Sequence, residues 1–392
     1  MKMHFANRGA GVAAKMLQTP EVLVQIGKTA LRKRITAQVD YHFRGGHSGP
    51  FSRVDIKIVN TCNLRCKMCG QWGETGWHLG QQLPFLKELV PLSAYKKLVD
   101  DISGLQPWVC IWGGEPLLYP GIVELIAYMK EKGLTVLLNT NGITLSKCAA
   151  ELVDLGLDFL KVSIDGKREI HDDVRGLNGA FDKTVAGVQA VQQHKKTRHV
   201  VKPYVLVSAT INKQNAANLD DIFEVGEQVE ADWVSASYGW FQTEESCRRH
   251  EAVMAEKLDT HPCSQRGWLW NYNEIDTEVL TQTVRRIKNR RWPFSYVFMP
   301  ELSYEEIPVY YRDHSKLFRA KKCLVPWSVV EILANGDVTT CGDYPDYIVG
   351  NIKKSSILDI WNNERYRKFR NCLQNDGLLP VCTRCCGLLV DS

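Results

Sequence analysis

The chain predicts an α/β fold: a partial, TIM-like (β/α)6 barrel built on a parallel sheet, followed by a small cysteine-rich module. Three observations predict it. Between Arg53 and Tyr238 six short apolar runs alternate with helix-period segments, turn or breaker residues bound each run, and short-spaced cysteine clusters stand at the two ends of the chain. With 392 residues and 44% hydrophobic content, the chain can bury one barrel-sized core and a smaller second one. The expected division is a basic arm (1–50), the barrel (51–240), a connecting region (241–319) and the cysteine module (320–392).

In the arm, MKMHFANRGAGVAAKML is too polar and too interrupted by glycine for a signal sequence, and no later segment reaches the ~18 apolar residues of a membrane span. The formal charge of +5 is concentrated here: eight Lys or Arg stand against Glu21 and Asp40, which gives +6 and leaves −1 for the rest. From Thr19 to Ile35 a helix is expected, with Leu23, Ile26, Ala30 and Leu31 near one face and Lys28, Arg32, Lys33 and Arg34 polar. Such a helix packs on the barrel rim with a solvated outer side. A basic amphipathic helix also suits peripheral contact with an anionic membrane or an acidic partner.

The strand candidates are Val54 to Val59, Trp108 to Trp112, Thr135 to Thr140, Phe159 to Ile164, Tyr204 to Ile211 and Trp233 to Ser237. Helices are expected between them, among them Ser93 to Ile102 with a Ser cap, Gly121 to Lys132 ending at Gly133, and Ser146 to Leu155. A parallel barrel of this kind carries its chemistry at the carboxyl ends of its strands. Residues 241–318 lack the alternation apart from a helical segment near Asp276 to Arg291, and the module from Ala320 onward suggests a hairpin turning at Gly336.

Cys62-Asn-Leu-Arg-Cys66-Lys-Met-Cys69 follows the first strand and therefore stands at the barrel mouth. Thirteen cysteines in a long chain, clustered rather than dispersed, read as metal ligation in a reducing cytoplasm and not as a disulfide framework. Thiolates are the usual ligands of iron–sulfur clusters, and three on one tight loop leave a fourth iron open to another ligand. A zinc knuckle would need a fourth Cys or His at matching distance, which the sequence does not offer.

Cys-x3-Cys-x2-Cys after the first strand resembles the signature of the radical S-adenosylmethionine superfamily. Gly113-Gly114-Glu115-Pro116, after the second strand, is similar to that family's GGEP motif. The resemblance implies a 4Fe-4S cluster held by Cys62, Cys66 and Cys69, and S-adenosylmethionine bound through Gly113, Gly114 and Glu115. Glu115 would offer a carboxylate to the methionine ammonium, with the glycines letting the backbone approach. Asn139-Thr140-Asn141-Gly142 and Ser163-Ile164-Asp165-Gly166 are similar to polar segments lining the cofactor pocket in relatives, with Asn139 and Ser163 the candidate contacts. Both are also common turn sequences. Arg175, in His171-Asp172-Asp173-Val174-Arg175-Gly176, suits either a two-pronged carboxylate contact or a salt bridge. Met68 stands where many relatives have an aromatic.

Cys323, Gly336, Cys341 and the later Cys382 and Cys385 resemble the SPASM extension of radical enzymes in its shortened, twitch form. That implies Cys323, Cys341, Cys382 and Cys385 as ligands of a second, auxiliary 4Fe-4S cluster. Four thiolates in two pairs also suit a zinc ribbon. Cys372 and Cys386 are spare and could replace a ligand or act as thiol donors.

The resemblance implies a radical enzyme that cleaves S-adenosylmethionine and draws on a reducing partner such as flavodoxin or ferredoxin. Net oxidation through the auxiliary cluster is the expected outcome, with epimerisation by a thiol at Cys247, Cys263 or Cys386 as the alternative. A non-catalytic electron carrier or zinc-binding protein would need neither the GGEP-like segment nor the barrel. The substrate is a small molecule or a peptide, and the scarcity of residues ahead of the first strand disfavours a peptide leader-binding domain. Trp240, Trp268, Trp270 and Trp292 are candidates to face an aromatic or sugar ligand. The near-neutral barrel carries no basic stripe, so no nucleic-acid partner is expected.

Overall fold

The computed structural model describes residues 17–318 and 320–385. Strands β1 (Arg53–Lys57), β2 (Trp108–Trp112), β3 (Thr135–Thr140), β4 (Phe159–Ser163), β5 (Tyr204–Ile211) and β6 (Trp233–Tyr238) pair in sequence order, all parallel. They are the six runs read from sequence.

The sheet continues beyond those six on both sides. On one side β7 (Ser295–Met299) adds parallel to β6. It escaped the sequence reading because a long insertion, rather than one helix, precedes it, and because only Phe298 of its residues is fully buried. On the other side β8 (Val329–Ile332) lies parallel to β1, and β9 (Asp337–Thr339) and β10 (Ile348–Asn351) extend it antiparallel. Gly336, at φ +87°, makes the β8–β9 turn that the sequence anticipates. Through β8 the cysteine module shares one ten-stranded sheet with the barrel.

Ten helices matter for the argument: α1 (Pro20–Ile35), α2 (Leu92–Ser103), α3 (Ile122–Glu131), α4 (Ala149–Asp154), α5 (Arg168–Arg175), α6 (Ala180–Arg198), α7 (Asp220–Gln228), α8 (Glu244–Leu258), α9 (Thr277–Asn289) and α10 (Glu364–Asn375). Alternation along the strands divides core from lumen. In β5, Val205, Val207, Ala209 and Ile211 are buried in the core, while Leu206, Ser208 and Thr210 remain partly open on the opposite face. Ser93 does not cap α2, which begins at Leu92 behind Pro91 and buries Tyr95, Leu98, Val99 and Ile102. Asp276 does cap α9, accepting from the backbone N–H of Glu278 and Val279.

Helix α1 closes the amino-terminal end of the barrel, with Val22 packed against Phe159 and Tyr204 and bordered by Trp108 and Trp233. Its roll differs from the sequence expectation: Val22 and Gln25 face inward, whereas Leu23 and Leu31 are exposed. Polar anchors set that roll. The Thr19 hydroxyl pairs with the Tyr204 hydroxyl at 2.8 Å, and Gln25 Nε2 donates to the Gln106 carbonyl at 2.8 Å. Among the described residues no helix is long and apolar enough to cross a membrane.

Candidate active site

The loop after β1 carries Cys62, Cys66 and Cys69, and three later segments clamp it. The first clamp is the glycine pair after β2. A Cβ on Gly114 would lie 2.0 Å from the Thr61 carbonyl oxygen, and one on Gly113 2.6 Å from that of Val59. These glycines therefore admit the cysteine loop's own backbone, where the sequence reading had them admit a ligand. Glu115 N–H donates to the Thr61 carbonyl at 2.9 Å and completes the seam.

Glu115 is fully buried, and its carboxylate accepts from the Thr140 hydroxyl (2.6 Å), Asn141 N–H (2.8 Å) and Leu117 N–H (3.0 Å). Burial pushes its pKa up, and these three donors hold it back. The carboxylate thus ties β2 to the end of β3, which is the second clamp. Asn141 carries the tie onward: its Nδ2 donates to Asn63 Oδ1 at 2.7 Å and lies 3.9 Å from Cys62 Sγ.

The third clamp is the end of α5. Lys67 N–H donates to the Val174 carbonyl at 3.0 Å, and a Cβ on Gly176 (φ +67°) would meet the Arg65 carbonyl at 2.8 Å. Arg175 Nε donates to Asp165 Oδ2 at 2.5 Å, and its Nη1 is 3.7 Å from Cys66 Sγ. Of the two roles open to Arg175, the structure builds the buried salt bridge. The guanidinium also offsets the burial that pushes the Cys66 thiol up to about 12 and the Cys62 thiol up to about 11.

The three thiols open onto one cavity of about 200 Å³, shared with Gly113, Gly114, Glu115, Asn139, Ser163 and Arg175. Every sequence-selected barrel residue is therefore at one site. Asn139 Oδ1 is buried there with no hydrogen-bond partner, an acceptor awaiting a donor. Trp240, Trp268 and Trp270 form a wall of the same cavity, while Trp292 is elsewhere, buried against Phe223 and Phe294. Sequence reasoning missed Gln71, Trp72 and Thr210, which also line it. It also missed Lys57, buried beneath the loop with Nζ 3.0 Å from His78 Nε2 and held down to about 7 by burial. Period-two alternation in β1 was the available signal for Lys57.

In the carboxyl-terminal module, Cys382 and Cys385 stand close enough to Cys341, and Cys385 and Cys323 close enough to Cys382, to disfavour the Cys341 and Cys382 thiolates. Burial first, then the neighbouring thiols, pushes Cys341 and Cys382 up. Cys385 Sγ lies 3.2 Å from Asp343 Oδ2. Of the spare cysteines, Cys372 is buried on the inner side of α10 and Cys386 falls outside the described residues.

Comparison with known proteins identifies both domains. A radical SAM superfamily model matches residues 56–224, and an iron–sulfur cluster-binding SPASM model matches residues 323–386. The chain carries a radical S-adenosylmethionine domain followed by a SPASM domain. It is 27% identical over 331 residues to an AdoMet-dependent heme synthase of Methanosarcina barkeri, covering 83% of this chain and 86% of that one. It is 23% identical to the subtilosin biosynthesis protein AlbA of Bacillus subtilis, covering 90% of this chain and 67% of AlbA. Among solved structures, Streptococcus suis SuiB bound to S-adenosylmethionine shares the fold, with TM-score 0.57 at 15% identity over 85% of this chain and 72% of SuiB.

The radical SAM barrel implies a 4Fe-4S cluster and S-adenosylmethionine, and the SPASM domain implies further iron–sulfur ligation. The residues present fit both groups. Three loop thiols with an orphan acceptor beside them suit a cluster whose remaining iron binds a small ligand, and four grouped thiols suit a cluster held wholly by protein. Among the described residues no three His, Cys, Asp or Glu side chains converge on a single-ion site. A four-iron cube does not require that convergence, because each thiolate holds its own iron.

The Gly114 contact makes a test. Gly114→Ala should displace the cysteine loop and remove roughly half of the iron after anaerobic reconstitution, leaving the share held by the carboxyl-terminal module. Unchanged iron would show that the loop tolerates the methyl group and that the clamp is not needed.

Proposed function

We propose that this enzyme oxidises its substrate: the site at Cys62, Cys66 and Cys69 starts the radical reaction, and Cys323, Cys341, Cys382 and Cys385 hold an auxiliary 4Fe-4S cluster that accepts the electron left behind. The cofactors, when bound, supply reductive cleavage of the sulfonium to methionine and a 5'-deoxyadenosyl radical that takes a hydrogen atom from carbon. The chain's own residues position the reactants. Arg175 and Asn141 steady the thiols, Asn139 and Ser163 offer polar contacts to S-adenosylmethionine, and the Gly113–Gly114 backbone holds the loop to the barrel. Glu115 acts through Thr140 and Asn141 as a positioning residue.

One observation carries the oxidation reading. Trp268 stands between the two cysteine sets: its ring packs on Gly70, next to Cys69, and its Nε1 donates to the Asp343 carbonyl at 3.4 Å. The Asp343 carboxylate in turn receives the Cys385 thiol. A substrate lodged against Trp268 is thus within one side chain of both sets. No observation favours epimerisation. Among the described residues the only thiols lining the cavity are Cys62, Cys66 and Cys69; Cys247 is buried on α8, Cys263 is exposed, and Cys386 lies outside the described residues.

The tryptophan wall supports a substrate that presents a flat, apolar group. The relatives' names, a heme synthase and a peptide-modifying protein, fit such a group on either a small molecule or a peptide. A low-potential flavodoxin or ferredoxin in the cytoplasm is the proposed reductant.

Turnover with S-adenosylmethionine, reductant and cell extract tests the reading. The product should be lighter than its substrate by two hydrogens. A product of equal mass carrying solvent deuterium at the reacting carbon would defeat it. Changing Cys62, Cys66 and Cys69 together to Ala should leave about half of the iron and no 5'-deoxyadenosine.

A further inference from the structure

Helix α1 turns apolar residues away from the protein. Val24 is 56% exposed, Leu31 61% and Ile35 39%, and at seven and then four residues apart they form one stripe on the side opposite Val22. The helix cannot roll to hide them, because Thr19 is paired with Tyr204, Gln25 with Gln106, and Arg32 with Asp40. Beyond the helix the exposed apolar side continues in Val39 and Phe43, the latter 79% exposed.

Charge around the stripe is of one sign. Lys28 and Arg34 flank it, and neither has an ion-pair partner among the described residues. The nearby acids are already engaged: Glu21 by Lys202, and Asp40 by Arg32 and Arg44. An apolar stripe bordered by unpaired cations on an amphipathic helix matches an anionic lipid surface, where the side chains enter the headgroup boundary and the cations meet phosphates. A second copy of this chain would bury the same stripe but bring Lys28 and Arg34 toward their counterparts, like charge against like.

We propose that the outer face of α1 docks the enzyme on an anionic membrane surface through Val24, Leu31 and Ile35, with Lys28 and Arg34 engaging lipid phosphates. The helix closes the amino-terminal end of the barrel, opposite the strand ends that carry the cysteine loop. Docked this way, the enzyme keeps its active-site mouth open and turned from the lipid. The inference is independent of the reaction type, and vesicle binding reads it without turnover.

The full chain with its clusters reconstituted is floated with vesicles of phosphatidylglycerol and phosphatidylcholine, and with phosphatidylcholine alone. The protein should float with the anionic vesicles only, and added salt should release it. Val24→Glu with Leu31→Glu should abolish flotation, and Lys28→Glu with Arg34→Glu should weaken it at least about tenfold. Iron content and the melting curve, both expected unchanged because these side chains face solvent, confirm that the variants fold. Four results overturn the proposal: no flotation of the unaltered protein, equal flotation of the variants, concentration-dependent self-association that the Val24/Leu31 change removes, or flotation that begins only when residues 1–16 are deleted. The last two would assign the stripe to a second copy or to the chain's own amino terminus.

Discussion

Asp165→Asn should destabilise the iron-free chain by about 3–5 kcal/mol, because it leaves the Arg175 guanidinium buried without its counter-charge. Asp165 is fully buried and Arg175 is 8% exposed, so solvent cannot take over. Burial pushes the Asp165 pKa up and Arg175 pulls it down, so the pair persists only while each partner is present. Asp165 Oδ1 also lies 3.3 Å from the Thr210 N–H, and an amide in its place sets N–H against N–H at one of the two contacts. Denaturant unfolding of the protein without clusters, which removes the contribution of bound metal, gives the number. Because the pair is one unit, Asp165→Asn with Arg175→Leu should cost less than the two single changes summed. A single-variant loss below about 1 kcal/mol would put the pair in the class of surface ion pairs and contradict its burial. The same change should loosen Cys66, which lies 3.7 Å from Arg175 Nη1, and lower the iron held by the loop.

How far the sequence reached depended on the range of the interactions involved. The six barrel strands were legible because each run is a local pattern with local punctuation. β7 was not, since its partner β6 is separated from it by the long stretch holding α8 and α9. The pairing of β8 with β1 joins residues almost at opposite ends of the chain, and no local pattern announces it. At the site, the residue types were legible and several roles were not. Gly113 and Gly114 read as room for a ligand, yet their hydrogens face the backbone of residues 59–61. Glu115 read as a carboxylate offered to the cofactor's ammonium, and it does line the cavity, yet Thr140 and Asn141, brought in by the next strand, also bind it. The face of α1 was misjudged for a related reason: hydropathy periodicity weighs Leu23 and Leu31, whereas distant partners of Thr19 and Gln25 set the roll. Of four candidate tryptophans, three reached the cavity and Trp292 did not, because aromatic residues serve cores and ligands with the same chemistry.

Cys341→Ala should let S-adenosylmethionine be cleaved while stopping product formation altogether. Cys341 is partly buried beside Cys382 and Cys385, far from the loop of Cys62, Cys66 and Cys69 in sequence and outside the cavity they line. Removing it takes one ligand from the auxiliary set and leaves the three clamps on the first loop untouched. 5'-Deoxyadenosine should therefore still form, and half of the iron should remain. Without an acceptor for its electron, the substrate radical has no forward path, so it takes an electron from the flavodoxin or ferredoxin and a proton from solvent and reverts to substrate, while 5'-deoxyadenosine accumulates. Trp268→Phe is the companion measurement. It keeps the ring against Gly70 but deletes the N–H that reaches the Asp343 carbonyl, so it should preserve iron and slow product formation more than 5'-deoxyadenosine formation. Full product yield from Cys341→Ala would remove the auxiliary cluster from the reaction. A thiol donor would then be indicated, and Cys247→Ala, Cys263→Ala and Cys386→Ala, which should leave turnover intact on the present reading, would become the deciding variants.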